Sequence, residues 1–171
     1  MGTRSGVPQH PASAGLRRAG RSGCRCHHPR PEYAVAYRVP HAEQVVRAWP
    51  DAWLREHPPG RGDAVLVLTH DPRIDDPALV AALPGPAGHV AVLGSRATHA
   101  ERLARLAAVP GLERLAGPAG LDLGGTSTAE TALSMIAEIV AVSNGRAGGR
   151  LTSSDGPIRA ALVDPLPQPS R

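Results

Sequence analysis

The chain has 171 residues, the size of one domain with a single core, and all 19 of its basic residues are arginine. Six of these lie in residues 1–30, where no acidic residue occurs, so the rest of the chain carries a net charge of −2 and offers no basic face for nucleic acid. With two cysteines one residue apart and no long apolar run, the composition predicts a cytoplasmic protein without a membrane span.

The first half of the chain changes character near Pro29. Residues 1–28 show neither strand nor helix periodicity, so we expect disorder there, in a segment that looks non-native. Apolar residues in His41–Leu54 have helical spacing, interrupted by Pro50. The run Ala64–Leu68 is short and continuously apolar, which predicts a buried parallel strand.

Strands and helices then alternate. Asp76 as N-cap with Pro at the next position predicts a helix through Leu83. His89–Leu93 predicts a second buried strand. Ser95 can cap the following helix, in which Glu101 and Arg105 are spaced to form an i,i+4 pair.

A last helix begins at a predicted capping box formed by Ser127 and Glu130. Its expected buried face consists of Ala129, Ala132, Leu133, Ile136, Ile139 and Val140. Residues 146–171 read as a tail rich in Gly, Ser and Pro, so the expected domain is 29–145. The alternation predicts an α/β fold with a Rossmann-like parallel sheet.

Ligands bind such sheets beyond the carboxyl ends of the strands, where two loops carry polar residues. The loop after the second predicted strand contains Gly94, Ser95 and Arg96, which combine close backbone approach, a helix N-terminus and a guanidinium for phosphate or carboxylate. A simple cap with a solvated arginine explains these residues equally well. The loop after Ala64–Leu68 contains Thr69, His70 and Asp71. The last two could form an acid–base pair or half of a metal site, although turn formation is the more ordinary explanation.

Two further motifs are weaker. Gly120–Gly125, which includes Asp122, could cradle an anion or could simply form a tight turn. Cys24–His28 has the residue types of a metal site but not the spacing of structural zinc, so no metal is expected.

Three ordered motifs together resemble the XdhC/CoxI family of xanthine dehydrogenase accessory factors, in its C-terminal Rossmann domain. They are Val67–Arg73 followed by Asp75-Asp76-Pro77, Leu93–Arg96 followed by Thr98–Leu103, and Gly117–Gly124 followed by residues 126–141. The resemblance implies a non-enzymatic chaperone that binds molybdenum cofactor (molybdopterin) transiently, assists its sulfuration by a cysteine desulfurase and delivers it to an apo molybdenum hydroxylase. It implies cofactor binding by Thr69, His70, Asp71, Gly94, Ser95, Arg96 and Asp122. A homodimer is possible.

The resemblance also shows what is missing. The family's Rossmann domain begins with a strand, a GxG turn and a helix, none of which is evident before Pro29, and His28 stands where an acid is expected. We therefore expect an N-terminally truncated or frameshifted copy, with little NAD binding and with the strand at Ala64–Leu68 left as an unpaired sheet edge. The alternatives are an NAD(P)-binding oxidoreductase domain and a non-functional remnant that still binds a partner protein.

Overall fold

The computed structural model describes residues 14–18, 21–34, 36, 40–155 and 157–159. Its strands are β1 (Ala14–Arg18), β2 (Arg21–His27), β3 (Gln44–Val46), β4 (Asp63–Val67), β5 (His89–Val92) and β6 (Leu115–Ala116). Its α-helices are α1 (Pro50–Glu56), α2 (Pro72–Ala82), α3 (Arg96–Arg105) and α4 (Thr128–Ser143), with short 3₁₀ turns at Leu112–Arg114 and Leu151–Ser153. Across these ranges, no helix is both long and apolar enough to cross a bilayer.

One six-stranded sheet organises the domain, in the order β3-β2-β1-β4-β5-β6. This is the strand order of a Rossmann fold, so the predicted α/β architecture is confirmed. One strand departs from the prediction of a parallel sheet, because β1 runs antiparallel to both β2 and β4. The reason is the length of its connection. A parallel crossover needs a dozen or more residues, whereas only Ala19 and Gly20 separate β1 from β2, which permits a hairpin alone.

The prediction of disorder in residues 1–28 is wrong for β1 and β2, while residues 1–13 lie outside the described residues. The predicted unpaired edge is wrong too, because β1 pairs with β4 from Gly15 opposite Leu66 to Arg18 opposite Asp63. The local sequence pattern did not predict these strands because both are short and polar. Such strands are stabilised by hydrogen bonds to their partner strands rather than by an apolar pattern of their own. No helix stands between β1 and β2 within the described chain.

The core lies between the sheet and α2. Val65 and Val67 on β4 and Val90 and Val92 on β5 share a sheet face, by the alternation of side chains along a strand, and all four are buried. They pack against α2 and neighbouring apolar side chains, which include Ala78, Leu79, Ala82, Leu83, Leu106 and Leu115. Burial of most of β4 and all of β5 explains why both strands are apolar after their first residues, Asp63 and His89.

Two predicted helices are placed differently. His41–Leu54 is not one helix: β3 occupies its middle, and α1 starts at Pro50, whose missing N–H is harmless at a helix start. The helix predicted to open at Asp76 begins earlier, because Asp71 accepts a hydrogen bond from the Arg73 N–H. Pro72 then takes the first helical position, and Pro77 lies inside the helix.

The ends of the later helices agree with the predictions. Ser95 caps α3, and Ser127 with Glu130 forms the capping box of α4. The predicted Glu101–Arg105 pair is replaced, since Arg105 Nε donates instead to the Asp76 carboxylate at 2.8 Å.

The predicted buried face of α4 is largely wrong. Ile139 is buried as predicted, together with Met135, whereas Leu133 is 61% exposed and Val140 is 56% exposed. Helix α4 contacts the sheet through Glu138, which bonds His89 on the side of β5 away from α2. A Rossmann fold covers that side with the helix that follows its first strand, and here a hairpin takes that helix's place. The outer side of α4 therefore has no neighbouring helix among the described residues.

Candidate functional site

Strands β2, β4, β5 and β6 run in one direction, so the loops that follow them open at the same edge of the sheet. This edge carries residues 28–30, 68–71, 93–95 and 117–120. In a parallel sheet it is the edge at which ligands bind. Five of the predicted site residues, Thr69 to Asp71 with Gly94 and Ser95, lie in two of these loops, and Arg96 follows at the first position of α3.

Thr69 is a buried anchor of the loop after β4. Its hydroxyl donates to the Asp75 carboxylate and accepts a hydrogen bond from the Asp71 N–H at 3.2 Å. Only 2% of Thr69 is exposed, whereas the side chain of His70 is exposed to solvent. Thr69 therefore fixes the loop from within, and His70 is the residue placed to meet a ligand.

Asp71 serves the fold more than it serves acid–base chemistry. Its carboxylate caps α2, accepts from Arg30 Nη2 at 2.8 Å and is bracketed by Arg73, also at 2.8 Å. The hydrogen bonds from Arg73 lower the pKa of Asp71 to about 2. A carboxylate of that pKa is a weak general base near neutral pH. The predicted alternative of a His70–Asp71 acid–base pair therefore loses its base.

A shallow cavity of about 350 Å³ lies between the ends of β2 and β4. It is lined in part by His28, Arg30, Tyr33 and His70. His28 accepts the Arg30 N–H on Nδ1 at 3.1 Å, and burial lowers the pKa of its imidazole. Because a neutral imidazole cannot hold ribose hydroxyls as a carboxylate does, this corner lacks the usual dinucleotide contact. In the part of the chain that the structure describes, no group of three His, Cys, Asp or Glu side chains could hold a metal ion.

The loop after β5 provides a helix N-terminus. Gly94 has a φ of 151°, which L-residues rarely adopt, and the Ser95 hydroxyl accepts the Thr98 N–H at 3.1 Å. Arg96 begins α3 and is exposed. The predicted cap is thus present. The same geometry leaves the first N–H groups of α3 and the Arg96 guanidinium facing solvent at the binding edge.

Arg102 and Asp75 are the functional candidates that sequence reasoning missed as site residues. Arg102 is 2% exposed and Asp75 is 0% exposed, and Arg102 Nη2 donates to Asp75 Oδ2 at 3.3 Å. Burial raises the pKa of Asp75 to about 6, against the opposing hydrogen bond from Thr69 and the charge of Arg102. The sequence signal that could have identified the pair is the position of Arg102, which is spaced to lie on the same side of α3 as the apolar residues of that helix. Through this pair, Thr69 is linked to the underside of the Gly94 turn.

The glycine-rich loop after β6 donates backbone N–H groups to side chains of the protein. The Gly120 N–H donates to Glu138 at 2.8 Å, and the N–H groups of Thr126 and Ser127 donate to Glu130. These donors are therefore not available to an anion, which favours the tight-turn interpretation. Asp122 is exposed in this loop.

Comparison with protein families matches residues 9–139 to the XdhC Rossmann domain. The match covers most of the chain and begins 20 residues before Pro29, in the segment that contains β1 and β2. The chain belongs to the XdhC family. The predicted family is thereby confirmed, whereas the expectation that nothing upstream of Pro29 is family sequence is wrong.

Among solved structures, the chain is similar to a crystal structure described as a xanthine dehydrogenase from Bacillus halodurans. The TM-score is 0.62 and the identity is 24%, over 76% of this chain and 37% of the other. This likeness concerns the fold, and the chain spans well under half the length of that neighbour. No match is found among curated proteins.

Proposed function

We propose that this chain is an accessory factor that helps to mature a molybdenum hydroxylase of the xanthine dehydrogenase kind. The observation that carries the proposal is membership of the XdhC family over residues 9–139. The description of the structural neighbour as a xanthine dehydrogenase supports the same association. In this proposal the chain acts in the cytoplasm as a chaperone rather than as an enzyme.

Molybdenum cofactor (molybdopterin) is the ligand we assign to the carboxyl edge of the sheet. Its anionic phosphate fits the donors there, because α3 presents open N–H groups beside Arg96, and Arg102 keeps buried donor atoms below Gly94. Gly94 and Ser95 would contribute backbone N–H groups, and Arg96 would bind the phosphate from the solvent side. When bound, the cofactor supplies the molybdenum centre that the client requires.

The roles of the remaining predicted residues follow from their positions. Thr69 holds the loop after β4, so that exposed His70 can face the pterin, while Asp71 orients Arg30 at the same edge. The proposed partners are a cysteine desulfurase, as the source of sulfur, and the apo hydroxylase that receives the cofactor. Asp122 would contact a cofactor only where the cofactor extends past β6.

Retention of pterin tests the proposal. The chain is produced in cells that make molybdenum cofactor, and the pterin that copurifies is oxidised and quantified by fluorescence. Arg96→Ala should lower the affinity by roughly tenfold to a hundredfold, since a charge-assisted hydrogen bond contributes about 1.5–3 kcal/mol. Arg61→Ala is the matched control, because Arg61 is an exposed arginine that precedes β4 and so lies at the opposite edge. Equal retention by wild type and Arg96→Ala would remove Arg96 from the site, and no pterin on any variant would contradict the cofactor assignment.

A second candidate is a partner-binding protein that docks on the hydroxylase without cofactor. The exposed side of α4, with Leu133 and Val140, is the observation that favours it. Capture of the apo hydroxylase by a chain that carries no pterin would support this candidate over the first.

A further inference from the structure

Two side chains of α3 carry buried polar atoms without a hydrogen-bond partner in the described structure. Arg102 uses Nη2 for Asp75, while its Nε and Nη1 have none. His99, three residues earlier and on the same side of the helix, has an unpartnered Nδ1. A buried donor left unpaired is costly, so such groups are normally satisfied by protein atoms, by ordered water or by a bound ligand.

Both side chains reach the loops that follow β5 and β6. Arg102 Nη1 lies 3.7 Å from the position that a Cβ would take at Gly94, which places the guanidinium directly beneath that turn. Helical side chains lean toward the N-terminus, so an arginine in the last turn of α3 can reach back in this way. At Gly117 a Cβ would stand 2.1 Å from His99 Nδ1, and the absence of a side chain there gives the imidazole its place.

The electrostatic setting favours an anion. The first turn of α3 contains no acidic residue, and a helix N-terminus carries a partial positive charge. The buried guanidinium donates to its carboxylate partner, Asp75, through Nη2 alone, so Nε and Nη1 remain as donors for an anion. His99 is held neutral, since burial and the nearby Arg102 charge lower its pKa. Its Nδ1 can then donate as one tautomer of the neutral ring.

We propose that Arg102 and His99, with the N-terminus of α3, form the buried half of a phosphate-binding site between the loops that contain Gly94 and Gly117. Asp75 and Thr69 are positioning residues, because the Thr69 hydroxyl and Arg102 Nη2 hold the two oxygens of the same carboxylate. The inference rests on the proposed function in one respect, the identity of the ligand as the phosphate of the pterin cofactor. Free phosphate shares the same chemistry, and the two sources are separated below.

Inorganic phosphate is the probe for the first experiment, added to the full ¹⁵N-labelled chain. We expect the Nε–H resonance of Arg102 and the backbone N–H of Gly94 to shift together and to saturate. Arg102→Lys keeps a positive charge for Asp75 but loses the planar fork, and it should weaken phosphate binding by about tenfold or more. Arg105→Lys is the matched control, since Arg105 lies on the same helix and binds the surface carboxylate of Asp76; it should bind phosphate as the wild type does.

Three results would overturn the inference. They are an unresponsive Arg102 resonance in the wild type, equal phosphate affinity in Arg102→Lys, and a response confined to exposed arginines other than Arg96, which identifies an adventitious ion only. The wild-type titration decides the matter if Arg102→Lys does not fold. Pterin retention forms the second arm. Phosphate responses without pterin would uphold this site and contradict the proposed function, whereas pterin retained equally by folded Arg102→Lys would overturn this site and leave the proposed function standing.

Discussion

Asp75 gives the protein an unusual dependence of stability on pH. Its pKa rises from 3.8 to about 6 in the folded state, chiefly through burial, and the side chain is 0% exposed. The folded state therefore holds this proton more tightly than the unfolded chain. The stabilisation is complete below pH 3.8 and is lost as the pH rises to about 6.

The magnitude follows from the two pKa values. At about 1.4 kcal/mol for each pH unit, the rise from 3.8 to about 6 corresponds to about 3 kcal/mol. Asp75→Asn removes the titration and keeps the shape of the side chain. The unfolding free energy of the variant minus that of the wild type should rise by about 2.5 kcal/mol between about pH 4 and about pH 7, whatever its value at pH 4.

Urea unfolding across this pH range measures the difference, because titrations common to both proteins cancel. His27→Phe is a companion variant of opposite sign. Burial lowers the pKa of His27 from 6.5 to about 4, so its contribution to stability is present above pH 6.5 and is lost as the pH falls to about 4. A constant gap between wild type and Asp75→Asn, or a gap that changes in favour of the wild type with rising pH, would refute the reasoning.

Four other outcomes are expected. Gly15→Pro should cost roughly 1–3 kcal/mol in urea unfolding and speed amide exchange at Leu66, its partner on β4, and an unchanged midpoint would contradict the pairing. Arg114→Ala should lower the melting temperature, because Arg114 donates to the carbonyls of three residues after α2 and the loss of these bonds costs about 1–2 kcal/mol. An unchanged melting temperature would show that the bonds are dispensable. Isothermal titration should detect no micromolar affinity for NAD(H), since a hairpin replaces the helix that would meet the pyrophosphate, and micromolar binding would reverse that conclusion. Replacing Leu133 and Val140 together by Glu should reduce self-association on size-exclusion columns, whereas unchanged elution would show that the exposed side of α4 does not mediate it.

Much of the second half of the domain could be read from local sequence. Strands β4 and β5 are apolar after their first residues because both of their faces are largely covered. Ser95, Ser127 and Glu130 mark helix starts through hydrogen bonds to nearby backbone. The three family motifs were found for a related reason. They lie in loops and first helical turns, where a short stretch of residues determines its own geometry.

The local sequence predicted only part of the candidate site. Gly94 and Arg96 are neighbours in sequence, so their shared place at a helix start could be predicted. The link from Thr69 through Asp75 to Arg102 spans three elements, and nothing local marks the arginine as buried. Its isolation from water depends on how α2 and α3 pack on the sheet.

The sequence by itself therefore determined the family, the α/β class, β4, β5 and the capped starts of α3 and α4, because each depends on contacts within a few residues. Only the tertiary structure decided that β1 and β2 enter the sheet as a hairpin, because strand pairing draws its hydrogen bonds from residues about 50 positions away, such as Leu66 opposite Gly15. The tertiary structure also decided which side of α4 is exposed. An amphipathic helix buries a side only where the fold provides a neighbour, and here the two residues between β1 and β2 are too few to form a helix.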